Sequence, residues 1–336
     1  MIDVQRIATV NPPAKLNLFL ELVARRKDGY HDIDTVMVAI DWCDHLTVRR
    51  TRDPGVLLKC DWAPSRAEYA ASLGISSSDP LLDIPTDDSN LVCKALNAFA
   101  DHFDIEGGFA CTLDKYVPAG AGMGGASSDA ASALLAAARL CDVPENHQAL
   151  VSIASAIGSD VPFFLGCSSD QPSNRSATAA KATGTGTDLE FLRNRFPFHA
   201  VVVFPGINLS TAKVYAQSSV PPIPLSSGAI VDAWTSLDFQ ELSKQLMNRL
   251  SDPARKLAPQ IDEILESMWR NGAITCQLTG SGSACFALCQ TKGDAEALES
   301  TIRSSENAWL ENAIVRTVAA AQLPPRVSIQ TIPEID

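Results

Sequence analysis

Four short segments of this chain bring together residue types that can handle charged oxygens. The densest is PAGAGMGG at 118–125, where four of eight residues are glycine, directly before ASSDAASALLAAARL at 126–140. Without side chains the backbone can approach a ligand closely. A helix starting there would aim unpaired N–H groups and the positive end of its dipole at the same spot, which reads as a phosphate site. The plainer alternative is a tight strand-to-helix turn without a ligand. Two familiar phosphate loops do not fit. Gly120, Gly122 and Gly125 match GxGxxG by spacing, but the dinucleotide fingerprint needs an acid closing the next strand, and the stretch from Gly125 to Asp142 reads as one Ala-rich helix. A P-loop needs Gly-Lys-Ser/Thr, and no lysine lies between Lys115 and Lys181.

The other three segments are weaker taken singly. Lys15 and Asn17 share one strand face behind Pro12-Pro13, where they could hold a phosphate or substrate oxygen, or form a solvated face. Asp160 sits in GSDVPFF beside apolar Val161, Phe163 and Phe164, a setting for a general base or for a helix N-cap. TGSGSA at 279–284 is a second Gly/Ser turn between apolar strands, and could equally be an ordinary hairpin.

The elements that must position these residues show in the periodicity. AKLNLFLEL (14–22) alternates, with Leu16, Leu18, Leu20 and Leu22 on one face and Lys15, Asn17, Phe19 and Glu21 on the other, so a strand with one buried face is expected. An Asp-Gly turn and strands at 35–42 and 45–50 follow. Residues 51–90 read as a loop-rich excursion with a short helix near 65–73. Helices are expected at 90–102, 126–140 and 145–157, the second capped by Ser127 or Ser128 with Asp129 in its first turn. Strands are expected at 108–118, 198–206, either side of the 279–284 turn, and 314–319. Helices are expected at 254–270 and 294–304. Residues 167–186 read as a surface loop or domain joint, and the tail from Pro324 has little pattern.

Composition bounds the class. A chain of 336 residues with a formal charge of −12 is a poor candidate for wrapping nucleic acid or lying on an anionic membrane. Residues 1–11 lack the shape of a signal peptide and no apolar run reaches a bilayer's width, so a cytoplasmic protein is expected. Nine cysteines without metal-type spacing read as reduced core residues, and the five histidines are scattered, so no metal ligand is assigned.

In order, PPAKLNL, PAGAGMGGASSDAA and LTGSGSACFAL resemble the GHMP kinases, small-molecule kinases that use ATP. RRKDGYHDIDTV and IGSDVPFFLG sharpen the likeness to the branch acting on a cytidine diphosphate-linked methylerythritol. The likeness runs from about residue 12 to 320. It implies an α/β (α+β) fold of two domains: an N-terminal one over 1–180, resembling ribosomal protein S5 domain 2-like folds and carrying the glycine loop, and a ferredoxin-like C-terminal one over 190–336. The implied reaction is phosphorylation of the substrate's 2-hydroxyl in non-mevalonate isoprenoid synthesis. The alternative is another GHMP kinase acting on mevalonate, homoserine or a sugar.

By the same resemblance, Asp160 would take the hydroxyl proton and Lys15 would polarise the reacting oxygens. Pro118, Gly120, Ala121, Gly122, Met123, Gly124, Gly125, Ala126, Ser127 and Ser128 would hold the ATP phosphates, with Lys115 also meeting them, and Asn90 and Lys115 would line the adenine pocket. Asn17, Tyr30, His31 and Tyr215 would contact the substrate, the last three at its cytosine. Gly280, Ser281, Gly282 and Ser283 would close the site. Mg2+ is expected with ATP, no membrane or nucleic-acid partner is expected, and the oligomeric state is not readable from the sequence. Departures from the family pattern are Met123 for leucine, Thr187 for an acid, Cys167 for a glycine, and longer segments at 51–85 and 167–181.

Overall fold

A computed structural model describes residues 4–166, 177–192 and 195–333. Cys167 and most of the long 167–181 segment lie outside them, as does the end of the tail. The chain opens with β1 (Val4–Val10), β2 (Pro13–Arg25), β3 (His31–Cys43), β4 (His45–Thr51) and β5 (Gly55–Trp62). Helices α1 (Arg66–Ser72) and α2 (Leu91–His102) lead to β6 (Gly108–Lys115), followed by α3 (Gly125–Leu140), α4 (Gln148–Ile157) and α5 (Val161–Leu165). Strands β7 (Ala179–Thr183), β8 (Asp188–Phe191) and β9 (His199–Phe204) precede α6 (Thr211–Ala216), α7 (Gly228–Ser236), α8 (Phe239–Lys244) and β10 (Met247–Asn248). The chain ends with α9 (Ser251–Leu257), α10 (Gln260–Arg270), β11 (Cys276–Leu278), β12 (Cys285–Cys289), α11 (Lys292–Arg303), β13 (Ile314–Ala319) and β14 (Ser328–Pro333).

These strands form three sheets, ordered β14-β1-β4-β6-β5, β10-β2-β3-β7-β8 and β11-β12-β9-β13. One core lies between the first sheet and α2–α5, centred on Phe99, Phe109, Leu134 and Leu135. A second joins β2 and β3 to the third sheet through Leu16, Val38, Phe198 and Phe286. The third covers the other face of that last sheet with α9–α11, through Ile261, Ile264, Met268 and Ile302. Each large side chain so buried stabilises by about 1.5–3 kcal/mol. No helix among the described residues is long and apolar enough to cross a membrane.

The first expected strand needs correcting. Both faces of β2 are buried over its first ten residues, because helices and the third sheet cover the side that alternation left to solvent. A β-bulge between Asn17 and Phe19 also breaks the alternation. Leu16, Leu18 and Phe19 therefore share one core while Leu20 and Leu22 enter another.

Other boundaries differ for local reasons. The expected 254–270 helix is two, because Pro259 disfavours helical backbone at Ala258, which caps α9 at φ −140°. Neither Ser127 nor Ser128 caps α3: its cap is Gly124, in the left-handed region at φ 71°, without a side-chain bond. Residues 51–90 contain β5, an edge strand parallel to β6. The pattern-poor tail supplies β14, which pairs antiparallel with β1, Ile7 opposite Gln330. The end of the expected C-terminal domain thus returns to the N-terminal sheet.

Candidate active site

The end of β6, the glycine segment and α3 form one continuous device. Lys115 closes β6 with its ammonium buried between the carboxylates of Asp44 and Asp129, the latter 2.6 Å away. Burial opposes that ammonium's charge, but Asp129 and Asp44 outweigh it and raise its pKa. Burial pushes the Asp129 carboxyl up, against the pull of Lys115. Asp44 also accepts the backbone N–H groups of Tyr116 and Val117 at 2.6 and 2.8 Å. Lys115 lines the cleft, but its ammonium is committed to two acids, so the expectation that it meets phosphates is corrected. Its work is to tie the chain entering the loop to the helix leaving it.

Gly122 shows why the loop is glycine-rich. Its φ is +78°, and a Cβ there would lie 2.3 Å from the carbonyl oxygen of Thr279. The two Gly/Ser turns are thus pressed backbone to backbone, and Ala284 N–H donates to Ala121 O at 3.1 Å. On the other side, Lys15 N–H donates to Met123 O at 2.9 Å. Since α3 starts at Gly125, the N–H groups of Gly125, Ala126 and Ser127 belong to its first turn and have no intrahelical acceptor. Ser128 is different: its N–H already donates to Gly124 O at 2.9 Å. Ser128 is buried outside the cleft lining, so its expected place among the phosphate donors is corrected.

A cleft of about 990 Å³ runs past this loop. Its walls include Pro118, Gly120 through Ser127, Lys15, Asn17, Asn90, Asp160, Tyr30, His31, Tyr215, Gly280 and Ser281. Gly282 and Ser283 do not line it. Gly282 N–H bonds Thr279 O, and the buried Ser283 hydroxyl donates to Ile207 O, so both shape the turn from behind. Asn90 caps α2, accepting from Val92 N–H at 2.8 Å.

In the wall of the cleft, the Lys15 ammonium stands 3.7 Å from the Asp160 carboxylate. Asp160 occupies the N-cap position of α5, as one of its two sequence readings had it, but makes no capping bond; its carboxylate faces Lys15 instead. Burial lowers the pKa of Lys15, and the adjacent Asp160 partly offsets this. Lys15 also donates to Asn17 Oδ1. The rings of His31 and Tyr215, which also line the cleft, lie 5.5 Å apart, tilted by 39°. Tyr30 stands at the rim, 69% exposed. Burial, with a smaller effect of Arg25, lowers the His31 pKa, and burial and nearby Asp160 raise that of Tyr215. Both rings are therefore neutral near pH 7.

Sequence reasoning passed over several residues that hold the site. Thr35 bonds Asn17, Thr279 Oγ1 accepts from Asn17 N–H, and Gln277 donates to Asn17 O. Gln277, a lone polar residue in a short apolar strand, was the available signal, whereas Thr35 follows Asp34 and Thr279 opens the Gly/Ser turn. Asp44 is one acid between two strands. Among the described residues no three His, Cys, Asp or Glu side chains gather to hold a metal ion. All eight described cysteines are free thiols.

Residues 90–167 match the GHMP kinases N terminal domain and 235–307 match the GHMP kinases C terminal domain. A 4-diphosphocytidyl-2-C-methyl-D-erythritol kinase from Rhodopirellula baltica is 47% identical over 96% of this chain and 98% of its own. The crystal structure of a 4-(cytidine 5'-diphospho)-2C-methyl-D-erythritol kinase superposes with a TM-score of 0.69 at 29% identity, covering 93% of this chain and all of that one. The structure of homoserine kinase from Cytophaga hutchinsonii superposes nearly as well, at a TM-score of 0.68, over 96% of this chain and 97% of its own. At 17% identity it shares the fold alone. With its glycine loop, its Lys15–Asp160 pair and near-complete coverage by these relatives, the chain belongs to the GHMP kinase family.

Proposed function

We propose that this protein is the kinase that transfers the γ-phosphoryl group of ATP to the 2-hydroxyl of 4-diphosphocytidyl-2-C-methyl-D-erythritol. One observation carries the reading: a single cleft joins the glycine loop, the Lys15–Asp160 pair and the His31–Tyr215 pair. A nucleoside triphosphate needs the first, an alcohol acceptor the second, and a flat pyrimidine the third. The 47% identity over nearly the whole chain supports this substrate over mevalonate, homoserine or a sugar.

Phosphoryl transfer asks little of a protein beyond positioning and charge neutralisation. Asp160 accepts the proton of the attacking hydroxyl. Lys15 neutralises charge on the transferring group and stands 3.7 Å from Asp160. The free N–H groups of Gly125, Ala126 and Ser127 hold phosphate oxygens at the positive end of α3. His31 and Tyr215, both neutral, receive the cytosine, with Tyr30 closing over it. Asn90 lines the adenine end.

Magnesium would neutralise the polyphosphate. Asp129 is taken by Lys115, so it would not be free to hold such an ion. Asp160 and Ser127 are the oxygen side chains on offer beside the loop. We read two domains meeting near residues 180–190 with the reaction between them, in the cytoplasm where ATP is at hand.

The test is ADP release from purified protein with the cytidyl substrate, mevalonate, homoserine and galactose in parallel. Turnover with the cytidyl compound alone supports the reading. Turnover with mevalonate or homoserine in its place overturns it.

A further inference from the structure

We propose that Thr35 is a positioning residue for the transfer step, because its hydroxyl dictates which end of the Asn17 amide faces Lys15. The inference rests on the reading of Lys15 and Asp160 given above. Thr35 lies on β3, only 1% exposed. A threonine hydroxyl has a single proton to give. Here that proton goes to the carbonyl oxygen of Phe19 at 2.5 Å, which makes Oγ1 an acceptor for anything else. Asn17 Nδ2 donates to it at 2.9 Å. With its NH2 engaged there, the amide presents Oδ1 to Lys15, whose ammonium donates to it. Turned over, the amide would set NH2 against NH3+, donor against donor.

The bulge in β2 makes this arrangement possible. Between Asn17 and Phe19 the ladder with β3 slips by one residue, and the Phe19 carbonyl is there for Thr35 to bond. Everything else about Asn17 is already fixed through its backbone. Its N–H donates to Thr279 Oγ1 at 3.0 Å, and its carbonyl accepts from Gln277 Nε2 at 2.9 Å. The sense of the amide is the freedom left, and Thr35 removes it. Lys15, held by Asn17 on one side, then meets Asp160 at 3.7 Å on the other.

The experiment compares Thr35→Val, which keeps the shape and loses the hydroxyl, with Thr35→Ser, which keeps the hydroxyl. We expect kcat to fall at least about tenfold in Thr35→Val, the scale of one hydrogen bond to a charged group. KM for ATP should stay within about twofold, and Thr35→Ser should keep kcat within about threefold. In an Asn17→Ala background, Thr35→Val should add less than about twofold, because Thr35 acts through Asn17. A kcat for Thr35→Val near wild type overturns the proposal. So does an equal loss in the Asn17→Ala background. If Thr35→Val does not fold, a crystal structure of the wild-type enzyme decides. Thr35 Oγ1 beyond about 3.5 Å from either Phe19 O or the Asn17 amide overturns the proposal, and contact with both upholds it. Lys15→Ala separates the two readings. If it stays active, the site itself is misassigned; if it is dead while Thr35→Val is active, only the role of Thr35 fails.

Discussion

The Asp160 carboxylate faces the Lys15 ammonium at 3.7 Å, with Lys15 buried and Asp160 a third exposed. The exposed partner is free to meet a substrate hydroxyl, while the buried one is held from behind. Asp160→Asn keeps the shape and removes the proposed base. We expect kcat to drop by about 10²-fold or more, with ATP affinity measured by calorimetry little changed. An unchanged kcat would remove Asp160 from the chemistry.

Lys15 predicts a pH dependence. Burial lowers its pKa below the ordinary 10.5, so as pH rises it loses its proton, and with it the neutralising charge, earlier than an exposed lysine. The kcat profile should therefore fall on its basic side below pH 10.5. Lys15→Arg, which stays protonated throughout, should run at a reduced rate without that fall. A basic limb unmoved by this substitution assigns it to another group.

His31 sets an acid-side behaviour of KM. Burial and Arg25 hold its pKa below 6.5, so the ring is neutral from about pH 7 to 8 and charges only as pH drops below 6.5. KM for the cytidyl substrate should be flat over that range and change below it, while KM for ATP stays constant. His31→Asn should abolish the acid-side change. Tyr215→Ala, stripping the neighbouring ring, should raise KM for the cytidyl substrate alone.

Gly122→Ala tests the contact between the two glycine turns. At φ +78° the new Cβ falls 2.3 Å from Thr279 O, a backbone atom that cannot swing away. The left-handed conformation alone costs about 1–2 kcal/mol for a residue with a side chain. Urea unfolding should show at least that loss, and KM for ATP should rise. Wild-type stability and KM together would mean the turns are not in contact.

Lys115→Met leaves Asp44 and Asp129 buried without their shared cation. Removing one member of a buried charged cluster costs about 3–5 kcal/mol. The exposed pair Lys244–Glu241 is the control, where Lys244→Met should cost under about 1 kcal/mol. Equal effects in urea unfolding would contradict the structural role given to Lys115.

Residue types and local spacing made much of the site legible. Four glycines before an Ala-rich helix announced the loop, and GSDVPFF and AKLNL marked the two charged partners. Whole-chain arrangement was less legible. The bulge after Asn17 depends on how β2 meets β3, and nothing in LNLFL signals it. The second buried face of β2 comes from elements distant in sequence. The Lys115 contacts hid for the same reason: Asp44 is 71 residues away, and an ion pair across that gap leaves no periodic trace. β14 is six residues ending in Pro333, and becomes a strand only because β1 offers an open edge.

The formal charge of −12 is unevenly distributed. Residues 12–35 are neutral overall and 272–289 carry no charge, so most of the acidity lies outside the motifs. In the proposed reading, anionic phosphates fall to Lys15 and the N–H groups that open α3.

Phosphorus NMR of the reaction mixture tests the central claim most directly. With ATP, Mg2+ and the cytidyl substrate, the account predicts ADP and one new phosphomonoester resonance on the 2-hydroxyl, with the substrate's diphosphate bridge intact. Cleavage of that bridge, or inorganic phosphate with no new monoester, would contradict it.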